Sequence, residues 1–314
     1  MPPKIIVITG PTASGKTWLA VELARRYNGE VVSADSMQIY RRMDIGTAKP
    51  TAEEMGGIPH HMIDVADPEE DFSVARYVDM AAAAVDGILS RGRLPILAGG
   101  TGLYIDSLLS GRTFAAFDEA SPLRAELEGR YAREGGEALL RELARSDPET
   151  AARLHPNDGK RIVRALEVWL TTGKTITRHN EETRAAPPRY APLTLNLDFQ
   201  RREDMWARID RRVDRMMEAG LLEEVRALLD SGVPEKCTAM QAIGYKEMVP
   251  VVSGDMAASD AAAQVKLRSR QYAKRQRTWF RRNSSARPLL WGPESNFADV
   301  LQRSTAYLEE IGIS

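Results

Sequence analysis

Only one cysteine, Cys237, occurs in the 314 residues, which excludes an internal disulfide and makes a thiolate zinc cluster unavailable. Histidine is nearly as scarce, and two of the four stand side by side as His60 and His61 in GIPHHMID. Neighbouring side chains diverge and no partners stand at ligand spacing, so a metal centre is not expected there. No apolar run approaches the roughly 20 residues that span a bilayer, and MPPKIIVITG passes into a strand without a signal-peptide layout. Excess charge is missing too: the formal net charge is −1, which argues against nucleic-acid binding driven by global charge. These absences lead us to expect a cytoplasmic, membrane-free protein. Its length suits one large α/β domain or a core with an inserted subdomain.

What is present begins with GPTASGKT, a complete G-x-x-x-x-G-K-[ST] phosphate loop of Gly10, Pro11, Thr12, Ala13, Ser14, Gly15, Lys16 and Thr17. The β-branched run Ile5–Thr9 precedes it and a helical stretch, Trp18–Tyr27, follows. Glycines let backbone N–H groups turn inward around phosphate oxygens, and the helix N-terminus favours the same anion. Lys16 is placed to meet phosphate charge, and the Thr17 hydroxyl to ligate Mg²⁺. The loop alone leaves open whether its phosphate belongs to a nucleotide.

Although net charge is small, its distribution is uneven. From Gln264 to Arg287 stand Lys266, Arg268, Arg270, Lys274, Arg275, Arg277, Arg281, Arg282 and Arg287 with no Asp or Glu, and with Tyr272, Trp279 and Phe280 interleaved. That block reads as a footprint for a polyanion, against the plainer alternative of a solvated helix face.

Strand signals at Ile5–Thr9, Glu30–Ala34 and Leu94–Ala98 alternate with helical ones at Trp18–Tyr27 and Ser73–Arg91, a βαβ progression toward a parallel sheet of P-loop type. Each strand runs into a polar or glycine-rich edge: the phosphate loop, Asp35-Ser36, and Gly99-Gly100-Thr101. Ligands of open α/β sheets sit at the carboxyl ends of strands, so the three edges should converge. From about 112 to 190 helical periodicity replaces the β-branched runs, and we expect a helical insertion that divides a core of residues 1–111 and 191–314. Within it Asn157 or Asp158 can cap a helix running to Gly173. Leu193–Phe199 reads as a strand returning to the sheet, and Glu203–Leu229 as one strongly amphipathic helical stretch.

Asp35, just past the second strand, can accept a proton from an acceptor nucleophile or can simply cap its turn. Gly99 and Gly100 form an open turn suited to close approach by a phosphate, and no acid of Walker-B type follows that strand. Thr101 either meets the phosphate or caps its helix. Of Arg208, Arg211, Arg212 and Arg215, one can project to the phosphates while the others pair with carboxylates.

The words GPTASGKT, SADSMQIYRRMDIGTAKP, IPHHMIDVADP, GGTGLY, HPNDGKRIVRALEVW, AIGYKEM and YAKRQRTWFRR occur in this order. Together they closely resemble the bacterial tRNA dimethylallyltransferases, from Lys4 to about Arg282. The resemblance implies transfer of a dimethylallyl group from dimethylallyl diphosphate to the exocyclic amine of adenine 37, in tRNAs reading codons that begin with U. It implies Asp35 as general base, with Thr101 and Arg212 assisting at the diphosphate and bound adenine. It further implies contacts to the tRNA anticodon stem-loop from Asp35, Ser36, Met37 and Gln38, from Thr101 and from Arg124. Others are Lys160, Arg161, Ile162, Val163 and Arg164, then Gln241, Ala242, Ile243, Gly244, Tyr245 and Lys246, with Lys274 and Arg275 in the basic block. A monomer is expected. A small-molecule kinase and a non-catalytic RNA-binding protein are the competing readings of the phosphate loop.

Overall fold

The structure, a computed structural model, describes residues 2–111, 121–185, 187–292 and 296–313. The chain folds as two compact units, Met1–Leu109 with Tyr190–Ser314, and Ser110–Arg189. Residue 112, where the sequence suggested that the insertion starts, lies outside the described residues.

The first unit is built on a six-stranded, wholly parallel sheet: β1 (Lys4–Thr9), β2 (Gly29–Ser33), β3 (His60–His61), β4 (Leu94–Ala98), β5 (Ala191–Phe199) and β6 (Arg287–Trp291), in spatial order β3-β2-β4-β1-β5-β6. Parallel strands covered on both faces need continuous apolar runs rather than alternation. Accordingly Ile5, Ile6, Val7 and Ile8 of β1 are all fully buried, each such side chain contributing about 1.5–3 kcal/mol of burial. β1 pairs with β4 from Ile6↔Ile96 and with β5 from Lys4↔Ala191, which puts the phosphate loop at the middle of the sheet's carboxyl edge.

Three elements differ from the sequence reading. The amphipathic stretch is two helices, Arg202–Glu218 and Leu221–Asp230, because Gly220 adopts φ +99°, a left-handed conformation that ends the first helix. β3 and β6 were not expected. The two residues of β3 pair only with β2, and Pro288 weakens the strand signal of β6, which occupies a sheet edge where a missing N–H is tolerated.

A buried carboxylate ties together the amino end of the sheet. Glu30 on β2 is 3% exposed, with Arg91 Nη2 and His61 Nε2 2.7 and 2.6 Å from Oε2, and Arg93 Nη1 3.1 Å from Oε1. Burial alone would raise its pKa, but the bonds from Arg91 and His61 outweigh it and hold the carboxyl at about 2. His61 is thus part of an ion network, and no group of three or more potential metal ligands occurs among the described residues.

The second unit is helical: Pro122–Glu134, Gly136–Ser146, Pro148–Ala152, Gly159–Thr172 and Ile176–Ala185. Its core joins Leu127, Leu139, Leu143, Ile162 and Leu166. The helix before Gly173 begins at Gly159 and ends at that glycine (φ +68°), while Asp158 turns its carboxylate back to the His155 N–H at 3.0 Å. Glu167 is completely buried and receives Arg124 and Arg164, both at 2.8 Å from Oε2.

Candidate active site

The loop after β1 is held from three sides. Gly10 (φ +146°) lies so close to β5 that a Cβ would stand 2.4 Å from the Leu197 carbonyl oxygen, and Gly15 (φ +84°) opens the helix Lys16–Arg26. The Trp291 indole on β6 donates to the Ser14 carbonyl at 2.9 Å, beneath a buried Ser14 hydroxyl that has no partner. Lys16 Nζ donates to the Pro11 carbonyl at 2.8 Å. Burial first and Arg212 second pull the Lys16 pKa down, against Asp35, to about 7. The Arg212 guanidinium is lowered by burial too, with Asp35 and Glu54 opposing, and its Nε is buried without a partner. Two under-compensated cations beside one carboxylate make a site that an anion completes.

Asp35 uses Oδ1 to accept the Met37 and Gln38 N–H groups at 2.9 and 3.4 Å, an Asx turn. The capping role raised by the sequence is therefore present, and it fixes the carboxylate at the rim of a cavity. Thr101 Oγ1 accepts the Ser36 N–H at 3.0 Å and bonds Ser36 Oγ at 3.3 Å, so the second and third strand edges are joined hydroxyl to backbone. Gln38 is locked by Ser33 Oγ and by the Ala48 carbonyl, both at 3.1 Å. Arg212 Nη2 reaches the Thr47 carbonyl at 3.4 Å.

Asp35 and Arg212 border a cavity of about 280 Å³, whose lining also includes Thr12, Ser36, Met37, Gln241, Ala242, Ile243, Tyr272 and Arg275. That is near the lower end of ordinary ligand pockets, roughly 300–1,000 Å³, and suits one flat ring. Glu224 fixes its far wall by accepting the N–H groups of Asp44, Ile45 and Gly46 within 3.1 Å and by taking the buried Tyr245 hydroxyl.

Of the other sequence-chosen residues, Gln241, Ala242, Ile243 and Arg275 line the cavity, and the rest lie elsewhere. Ile162, Val163 and Tyr245 are core side chains, since an amphipathic helix must turn one stripe inward, and Ala242 and Gly244 are buried between helices. Lys160, Arg161, Gln241, Lys246, Lys274 and Arg275 are exposed. Arg124 is committed to Glu167. Arg208 lies over the Trp291 ring at 4.2 Å, while Arg211 and Arg215 bond carbonyls of their own helix, so among the described residues these three lack the carboxylate partners expected of them.

The basic block is largely neutralised within the chain. On the helix Ala258–Phe280 and just beyond, Lys266 pairs with Asp214, Arg270 with Asp210, Arg277 and Arg281 with Asp198, and Arg287 with Glu310. Among the described residues Arg268, Lys274, Arg275 and Arg282 have no acidic partner, so the polyanion footprint narrows to these four. The acids come from β5 and distant helices, which a local reading of charge cannot see.

Sequence reasoning missed Gln276. Its Oε1 accepts the Thr12 N–H at 2.8 Å and its Nε2 donates to the Gly100 carbonyl at 2.9 Å. The signal was a polar break in the inward stripe Ala261, Val265, Ala273, Gln276, Phe280. The third edge is correspondingly not open to a phosphate on its glycine faces. A Cβ at Gly99 would meet Ala34 backbone at 2.1 Å, at Gly100 the Gln276 amide at 2.2 Å, and at Gly102 the Trp279 indole at 2.3 Å.

A sequence profile of the family described as IPP transferase matches residues 38–283. The chain is 46% identical to tRNA dimethylallyltransferase 1 of Pelobacter propionicus, over 98% of both proteins. It is 48% identical to the tRNA dimethylallyltransferase of Acetivibrio thermocellus, again over 98% of both. Among solved structures it is similar to the tRNA delta(2)-isopentenylpyrophosphate transferase of Staphylococcus epidermidis (40% identity, TM-score 0.71, covering 99% of this chain and 100% of that one). It is also similar to a eukaryotic dimethylallyltransferase described as acting on tRNA (30% identity, TM-score 0.84, 98% of this chain and 79% of that one).

Proposed function

The chain belongs to the IPP transferase family, and from that premise we propose that it is a tRNA dimethylallyltransferase acting on the exocyclic amine of adenine 37 beside the anticodon. The observation that carries the reading is that Thr12 of the phosphate loop, Arg212 and Asp35 line one ring-sized cavity, with Lys16 electrostatically coupled to Arg212 and Asp35 and Thr101 bonded to the lining residue Ser36. Dimethylallyl diphosphate places its anion on the loop amides and Lys16, and its allylic carbon toward Asp35. The adenine, unstacked from the anticodon loop, enters the cavity beside Ser36 and Met37.

As the allylic C–O bond breaks, its electron pair leaves on the diphosphate, where Lys16, Arg212 and the loop N–H groups stabilise the growing charge. The adenine nitrogen supplies the pair for the new C–N bond, and its proton, made acidic by alkylation, passes to Asp35. With Oδ1 held by the Asx turn, Oδ2 is left for that proton. Thr101, anchored on Ser36, is held beside both reactants.

Thr17, whose hydroxyl stands in the first turn of the helix Lys16–Arg26, is the residue that would hold Mg²⁺ alongside a bound diphosphate. The cation would supply neutralisation of leaving-group charge. The exposed Lys160, Arg161, Lys246, Lys274 and Arg275 supply phosphate-backbone contacts to the anticodon stem-loop, and Arg124 keeps the insertion's helices in register through Glu167. Every group named comes from one chain, so a monomer suffices, and the substrates fit the cytoplasm.

The test mixes the protein, Mg²⁺, labelled dimethylallyl diphosphate and unmodified tRNA with adenine at 36, 37 and 38, then digests the tRNA to nucleosides. Label in dimethylallyl-adenosine is the expected result. Its absence, with a known enzyme working alongside, overturns the reading.

A further inference from the structure

Gln276 is 5% exposed on a helix face that is otherwise apolar or small, where Leu or Met would fill the same space without desolvating an amide. What only an amide can do there is accept and donate at once. It takes the Thr12 N–H of the phosphate loop at one end and gives a hydrogen to the Gly100 carbonyl of the third edge at the other. Tyr272, one turn earlier, borders both Gln276 and Thr101 with its hydroxyl, and burial raises that hydroxyl to about 12, so it stays protonated throughout the neutral range. Gly100 has no Cβ because that atom would displace the Gln276 amide. The same helix presents Lys274 and Arg275 outward.

We propose that Gln276, seconded by Tyr272, is a positioning residue that sets the phosphate loop against the Thr101 edge and so fixes the diphosphate at bonding distance from the adenine held beside Asp35. It touches neither reactant; it holds the two strand edges that do. The proposal rests on the transferase reading for what is positioned, while the bonds themselves belong to the loop whichever phosphate it holds. Its helix also carries the outward cations Lys274 and Arg275, so a hydrogen bond joins that helix directly to the diphosphate loop.

Four variants separate positioning from bulk stability. Gln276→Met keeps volume and loses both bonds, Gln276→Glu keeps shape and the Thr12 bond but sets an acceptor against the Gly100 carbonyl, Gly100→Ala pushes the amide away without touching Gln276, and Tyr272→Phe removes one hydroxyl. Each is measured for melting temperature, for affinity to the anticodon stem-loop, for binding of dimethylallyl diphosphate by calorimetry, and for single-turnover transfer. Expected are stem-loop affinity within about threefold of wild type, diphosphate affinity down about tenfold for Gln276→Met and Gly100→Ala, and transfer at saturating substrates down about thirtyfold. Gln276→Met and Tyr272→Phe should combine less than additively, since they break one network. Should Gln276→Met fail to fold, Gly100→Ala and Tyr272→Phe still decide the matter. Unchanged diphosphate affinity and transfer rate in folded variants, or losses in stem-loop affinity equal to those in transfer, overturn the proposal. Wild-type protein that binds the diphosphate but transfers nothing refutes the transferase reading instead, and the calorimetric arm then still tests Gln276.

Discussion

Lys16 should take up a proton when the diphosphate binds. Burial and Arg212 hold its pKa at about 7 in the ligand-free loop, against an ordinary 10.5. A bound diphosphate ends that isolation and returns the ammonium toward its usual range, so binding raises the pKa and couples to proton uptake. With a free-state pKa of about 7, about one-tenth of the lysine is charged at pH 8, giving an uptake of about 0.9 proton per ligand, about 0.5 at pH 7 and about 0.1 at pH 6. Affinity accordingly weakens by about fivefold from pH 7 to 8 and about tenfold from 8 to 9, a range in which the ligand's own last ionisation, near 6, is complete. Calorimetric titration of dimethylallyl diphosphate with Mg²⁺ at pH 8, in buffers of different ionisation enthalpy, reads the uptake as a slope. Lys16→Met should abolish it. An uptake below about 0.2 at pH 8, or the same uptake in Lys16→Met, refutes the claim that burial leaves this lysine short of its charge until the anion arrives.

Asp35→Asn keeps an oxygen for the Met37 and Gln38 N–H groups but cannot take the proton, so stem-loop affinity should hold within a few-fold while single-turnover transfer falls about a hundredfold or more; an unchanged rate removes Asp35 from the base role. Glu30 stays charged in the folded protein down to about pH 2 whereas an unperturbed carboxyl protonates near 4.5, so its contribution of about 3 kcal/mol is complete above pH 4.5 and lost as pH falls toward 2. Urea unfolding of Glu30→Gln against wild type at pH 7 and pH 3 should show a deficit that shrinks with acid. Glu224→Ala leaves three N–H groups and the Tyr245 hydroxyl unaccepted, and should lower stability by about 3 kcal/mol while raising the KM for tRNA, since the wall it holds borders the cavity. Replacing Arg268, Lys274, Arg275 and Arg282 together by Ala should lower the salt dependence of tRNA binding by no more than about four phosphate contacts' worth, because only these of the basic block lack an acidic partner among the described residues.

How much was legible depended on whether a feature is local. The phosphate loop, its flanking strand and helix, and the edges at Asp35 and Thr101 depend on short-range periodicity and on glycine positions, and they are where the sequence put them. Gly220 was visible as a glycine, yet only its left-handed φ showed that it divides two helices. The basic block looked like nine free charges because the acids that neutralise it, Asp198, Asp210, Asp214 and Glu310, lie on other elements.

By itself the sequence determined the family and the chemical cast: an anion loop, a carboxylate past the second strand, a threonine past the third strand it foresaw, an arginine on the amphipathic helix. Composition and motif spacing carry that information because each depends on residues a few positions apart. Only the tertiary structure decided what stands against what. It set Arg212 and Lys16 in shared burial, lowering both; it spent the glycines of the third edge on Ala34, Gln276 and Trp279 rather than on a phosphate; and it brought the Gln276 amide to Thr12, 264 residues away. Burial and hydrogen-bond geometry depend on distance in space, and a parallel sheet with long crossovers makes that distance independent of distance along the chain.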